Sequence, residues 1–282
     1  MVRVERTPPP TAYFAVGAVF HYLGPSFAVL LFARVGVLGV AWLRIATAAA
    51  LFAAWRQPWR AFAALDRDGR RLVVSLGAVL GVMNACFYIA IDRLPLATAA
   101  AIEFLGPVVL ALLGVRTLRN VTAVAVAATG VYLLTHVRFA GSPAGVGFAF
   151  ANAVLFAAYI VLAHRLARQR AVNAVDGLAA AMMVALVVVS PIGIDAVARH
   201  ASDPVVPLAG IGVGVASSVV PYVLDQLAMA RLARATYALL VALLPALAAV
   251  IGAVVLAQLP SRADLAGIGL VTAAVALHRP DP

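Results

Sequence analysis

Two side chains stand where charge is expensive. Arg44 and Glu103 each fall inside a long apolar run of the sequence, and a charge at membrane depth costs about 3 kcal/mol on insertion scales. Both lie seven residues from the end of their run, and so do Asn84 and Asn152. At 1.5 Å per residue that is a shared depth of roughly 10 Å. Equal depth permits a polar layer in which Arg44 and Glu103 pair directly or through water. In that layer Glu103 can bind a substrate amine or carry a proton, and Arg44 can hold Glu103 or a substrate carboxylate. Competition between Arg44 and substrate for Glu103 would link proton binding to substrate binding. The plainer alternative has Arg44 snorkelling to the interface, with Glu103 as its structural partner.

Other polar residues extend the set. Tyr88, Tyr159 and Tyr222 offer hydroxyls or aromatic faces to an amine, or else act as interfacial anchors. Asp225, near the end of its run and close to Arg231, suits a cytoplasmic gate or proton site; an interfacial ion pair is the simpler reading. Pro107, Pro221 and Pro245 each remove an intrahelical bond, making a hinge or a static kink. Gly17, Gly77, Gly81, Gly130, Gly212, Gly214 and Gly269 suit close helix contact.

Little else points to chemistry. His21, His136, His164, His200 and His278 form no spaced metal pair, so neither a metal site nor a catalytic histidine is expected. The chain has no lysine, hence no phosphate-binding Gly-Lys-Ser/Thr loop and no expectation of direct ATP drive. The single cysteine, Cys86, excludes an intrachain disulfide and reads as a small buried apolar residue. No cofactor is expected.

These residues need elements to hold them, and composition says which. Of 282 residues 65% are hydrophobic and 11% charged, against about half and a quarter in soluble domains. A water-soluble fold could not hide that surface, whereas helices in lipid are apolar all round. Spans of about twenty apolar residues are expected near 13–32, 37–55, 72–91, 96–115, 119–136, 145–163, 175–194, 208–229, 235–257 and 263–278. The connections are short; the longest, 56–71, carries five arginines and a proline. The first run reads as a retained helix, not a cleaved signal. The net charge of +10 reads as membrane topology and not nucleic-acid binding, because the arginines lie between spans. With a cytoplasmic N-terminus, fifteen arginines fall inside and five outside, which places both termini in the cytoplasm of a bacterial inner membrane.

The chain also repeats. Arg93, Leu94, Thr98 and Pro107 recur 138 residues later as Arg231, Leu232, Thr236 and Pro245. Two five-helix units, 13–136 and 145–278, are expected between cytoplasmic tails 1–12 and 279–282. An odd number of spans inverts the second unit, the plan of secondary transporters with a central cavity between the halves. The counterpart of Glu103 is Val241, so the fold itself demands no acid there.

Motifs in order along the chain carry a resemblance: Trp42-Leu43-Arg44, Ala101 to Pro107, Ser217-Ser218-Val219-Val220-Pro221-Tyr222, Leu224-Asp225, Arg231-Leu232, Thr236 and Leu244 to Ala249. The chain resembles the ten-helix EamA-type transporters of the drug/metabolite transporter superfamily, with closest likeness to the threonine/homoserine exporter branch. The resemblance implies a proton-linked or exchange-type exporter of small metabolites such as amino acids, not an enzyme. It departs from the family pattern at Leu244, where an acid often precedes the Pro-Ala-Leu-Ala-Ala stretch, and at Ala257-Gln258, where Gly-Glu is common. The expected partners are a small-molecule substrate, membrane lipid and protons. One chain of ten spans can form a complete pathway, so a monomer is expected before a homodimer. The competing readings are a lipid-modifying membrane enzyme, which would want an interfacial His/Asp/Glu cluster, and a structural subunit, which leaves the repeat unexplained.

Overall fold

The computed structural model describes residues 9–106, 109–110, 117–169, 171–200, 202–229, 240 and 243–277, and among these there is helix and no strand. Helix is present in each of the ten apolar runs. α1 (Pro10–Val35) begins on a proline, which the first turn tolerates. It meets α2 (Val37–Arg56) at Gly36, whose φ of 74° turns the chain in a single residue, as glycine does without strain. α3 (Pro58–Ala64) is a short helix within the arginine-rich connection. α4 (Arg67–Arg93) starts where the Asp66 carboxylate accepts from the Gly69 N–H at 2.7 Å.

α5 (Leu96–Glu103) is followed by α6 (Leu118–Gly141), α7 (Pro143–Ala167) and α8 (Ala174–Ala198). Ser142 and Asn173 cap α7 and α8. α9 (Val205–Gly214) passes through a π-helical turn, Val215–Val219, straight into α10 (Val220–Met229). α11 (Leu244–Leu256) and α12 (Arg262–Leu277) complete the described chain.

Among the described residues six helices are long and apolar enough to cross a membrane: Thr11–Val35, Val37–Arg56, Arg67–Arg93, Pro143–Leu166, Val175–Ala198 and Val205–Leu224. Their outward residues are apolar too; Val154 and Val187 are each 70% exposed. The chain is a multi-pass membrane protein. Several helices outrun the apolar stretches that announce them. Hydropathy registers only the lipid-facing middle, whereas a helix runs on until a cap stops it, so α4 begins at Arg67 and not at 72.

α4 packs on α7 and α8, α2 on α8 and α9, α1 on α10 and α11, α5 on α7 and α11, and α6 on α12. Small residues set these crossings. A Cβ on Gly77 would sit 2.5 Å from the Ala181 carbonyl oxygen, and one on Gly130 2.7 Å from that of Gly267. Gly81 and Gly214 also lie against neighbouring helices, but Gly212 and Gly269 face open space and do not serve close contact.

Candidate functional site

Arg44 projects from α2 into the protein and is 7% exposed. Its Nε donates to Ser218 Oγ at 3.0 Å and its Nη2 to the Ser217 carbonyl at 2.9 Å. Both acceptors sit in the π-helical turn. The reason a backbone carbonyl is available lies four residues on: Pro221 has no N–H to give Ser217, and the guanidinium takes the acceptor instead. The Tyr88 ring closes the other side, with Arg44 Cζ 5.5 Å from its centroid. Gly24 lets α1 reach the same turn, since a Cβ there would lie 2.2 Å from Ser217 Oγ.

Glu103 ends α5 and is equally enclosed, at 7% exposure. Its Oε1 accepts from Asn152 Nδ2 of α7 at 3.1 Å. Phe104 follows in a turn, so the helix breaks at the acid. Pro107 lies outside the described residues; as a proline it has no N–H to offer the Glu103 carbonyl. Arg44 and Glu103 are near enough to act on each other electrostatically. They form no salt bridge, and the ion pairs among the described residues lie elsewhere. Of the direct or water-bridged pairing expected, the direct form is not seen: Arg44 bonds Ser217 and Ser218, and Glu103 bonds Asn152, partners that stand beside each charge.

The layer holds spare polar capacity. Tyr22 Oη, Tyr88 Oη, Asn152 Oδ1 and Ser217 Oγ are buried without a hydrogen-bond partner among the described residues. Tyr22 lies on α1 within electrostatic reach of Glu103, and the ring of His21 stands edge-on to it at 5.2 Å. Unpaired buried polar atoms are costly, and these four stand on residues that neighbour Arg44 or Glu103. Both charged side chains are buried. The described cavities of 710, 530, 440 and 230 Å³ do not include Arg44 or Glu103.

The other expected residues divide. Tyr88 is in the layer, but its face serves Arg44. Asn84 is buried, its Nδ2 donates to the Leu80 carbonyl of its own helix at 2.8 Å, and it makes no hydrogen bond to Arg44 or Glu103. Tyr159 is two turns along α7 from Asn152 and stacks on Phe156 at 6.0 Å. It packs in the same apolar cluster as Tyr222, one turn beyond Ser218. The side chain of Asp225 and all of Arg231 lie outside the described residues. Pro221 lies inside a continuous helix, as expected, whereas Pro245 occupies the first turn of α11 and kinks nothing there. Sequence reading missed Ser217, Ser218 and Tyr22 as site residues, and it gave His21 no role. A signal existed for His21-Tyr22: two polar rings at the midpoint of the first apolar run.

With this geometry in view, comparison with known proteins places the chain. The sequence profile of the EamA-like transporter family matches residues 143–278. The threonine/homoserine exporter RhtA of Escherichia coli (strain K12) is 32% identical over 89% of this chain and 84% of its own length. The chain belongs to the EamA-like transporter family. RhtA of Salmonella typhimurium (strain LT2) is likewise 32% identical, over 83% and 79%. A solved crystal structure shares the EamA-like fold seen here with a TM-score of 0.57 at 20% identity, covering 95% of this chain and 96% of that one. The family is one of transporters, not enzymes. One departure from the EamA pattern gains a structural account: Gln258 Oε1 accepts from the Leu96 N–H at 2.9 Å, capping α5 across the molecule with an uncharged oxygen.

Proposed function

We propose that this chain is a secondary transporter that moves a small zwitterionic amino acid, of the threonine or homoserine kind, outward across the bacterial inner membrane. Transport runs by alternating access with proton coupling or exchange. The observation that carries this reading is the enclosed layer with a carboxylate, a guanidinium and four unpartnered polar atoms. A substrate carboxylate replaces Ser217 and Ser218 as the acceptor for Arg44. Its ammonium is met by Glu103 and by Asn152 Oδ1, and a side-chain hydroxyl finds Tyr22, Tyr88 or Ser217. The RhtA relatives support the substrate class.

Two inverted five-helix units belong to the same proposal, and the packing supports them. Exchanging α1 with α7, α2 with α8, α4 with α9–α10 and α6 with α12 turns the contacts of α4 with α7 into those of α10 with α1, and those of α4 with α8 into those of α9 with α2. The contacts of α2 with α8 and of α6 with α12 map onto themselves. A family profile that matches 143–278 alone is also what a self-contained second unit would give. The test is counterflow in proteoliposomes loaded with unlabelled threonine or homoserine. Accumulation of the labelled amino acid without chemical change is expected; lipid turnover, or no exchange of any amino acid, overturns the proposal.

A further inference from the structure

The connection between α2 and α4 does more than join them. α3 lies along one end of the protein with Trp59 58% exposed. Two cavities lie near it. One, of 530 Å³, is apolar and is walled by Trp59 and Phe62 of α3 and by Met183, Val184 and Val187 of α8. The other, of 710 Å³, is lined by Arg67, Arg70 and Arg71 of α4 and by Asp66, whose carboxylate is engaged in capping that helix, so three positive charges face one negative. Arg70 borders both. Its own donors are engaged: Nη2 and Nε hold the Ala63 and Phe62 carbonyls at 2.9 and 3.2 Å, which pins α3 to α4.

Arg67 and Arg71 are the charges left for a ligand. They are one turn apart on one helix face, where like charges repel. Arg67 has no ion pair among the described residues, and Arg71 meets only Asp68, at 3.3 Å, with both side chains largely exposed. Arg56, nearby, is taken by Asp176 at 2.6 Å.

We propose that this pair of cavities binds an anionic phospholipid, its phosphate between Arg67 and Arg71 and one acyl chain against α8. Charge complementarity selects an anion. The apolar cavity, open sideways where Val187 is 70% exposed, selects one that carries hydrocarbon. From Ala180 to Val187 the groove follows α8 for roughly 10 Å, from the protein's end toward its middle. A soluble phosphate would fill only the basic side. The site needs a membrane, not the transport reading; with both termini in the cytoplasm, as the arginine distribution leads one to expect, it faces the cytoplasmic leaflet.

The test is native mass spectrometry of the intact chain released from nanodiscs of phosphatidylglycerol and phosphatidylcholine in equal amounts, a readout independent of transport. Preferential retention of phosphatidylglycerol is expected. The double variant Arg67→Gln/Arg71→Gln reduces that preference roughly 25-fold, since each arginine near an anionic surface contributes about fivefold. Val187→Trp, which fills the exposed groove, lowers retention with both arginines intact. Equal retention of the two lipids overturns the proposal. So does a preference that survives the arginine variant, or retention unchanged by Val187→Trp. Melting of each variant in pure phosphatidylcholine, expected to match the parent, separates loss of binding from loss of fold.

Discussion

Glu103 accepts one hydrogen bond, from Asn152, and keeps a second oxygen for whatever enters the layer. Replacing it with Gln preserves the carbonyl acceptor and the shape but removes the charge. Glu103→Gln is therefore expected to fold normally and to lower threonine counterflow by about 10- to 100-fold, the span of a lost charge-assisted hydrogen bond. Unimpaired exchange would end the role assigned to this acid. That Arg44 and Glu103 would be enclosed with polar partners was legible in the sequence, because a charge in an apolar run needs a partner. The identity of those partners was not. Serines and threonines in apolar helices commonly bond their own backbone, as Ser26 does with the Tyr22 carbonyl and Thr129 with that of Ala125. Nothing in their spelling separates these from Ser218, whose hydroxyl serves another helix. Asn84 failed the opposite way: its depth is right, but its amide turned back on α4.

At the scale of elements, the π-helical turn and Pro221 act together to free the Ser217 carbonyl for Arg44. Pro221→Ala supplies the missing N–H and lets the helix close its own bond. The expected result is a protein at least as stable to heat, with threonine exchange at low threonine about tenfold faster, because the Ser217 carbonyl no longer competes with the substrate carboxylate for Arg44. Stability and transport measured on the same preparation would show both; transport at the parent rate would refute it. A second strained point follows α11, where Ala257 has φ of 54°. A left-handed alanine costs roughly 1 kcal/mol relative to glycine, so Ala257→Gly should raise the melting temperature in detergent while Gln258 still caps α5. The run 96–115 gave no sign that its helix stops at Glu103, because hydropathy is blind to a break that keeps the chain apolar. The connection 56–71 likewise read as a loop, since α3 has only seven residues, too few for a periodic signal.

For the whole molecule, the membrane class was the easiest thing to read, from bulk composition. The proposed duplication is a fainter signal, resting on four matches at one offset. The proposed orientation makes a clear forecast. Green fluorescent protein fused to the C-terminus should fluoresce, and alkaline phosphatase fused after Arg199 should be active; the reverse pattern would invert the topology. The layer's wiring has a further bearing on leakage. Each of its polar bonds joins a residue before Ser142 to one after it: Arg44 to Ser217 and Ser218, Glu103 to Asn152. Two clasps thus fasten the halves, one answering to negative charge and one to positive. A solute with a single charge undoes one clasp and leaves the other shut. Threonine methyl ester, which lacks the carboxylate, should then fail to exchange for labelled threonine, and the empty protein should stay closed to ions that would otherwise discharge the membrane.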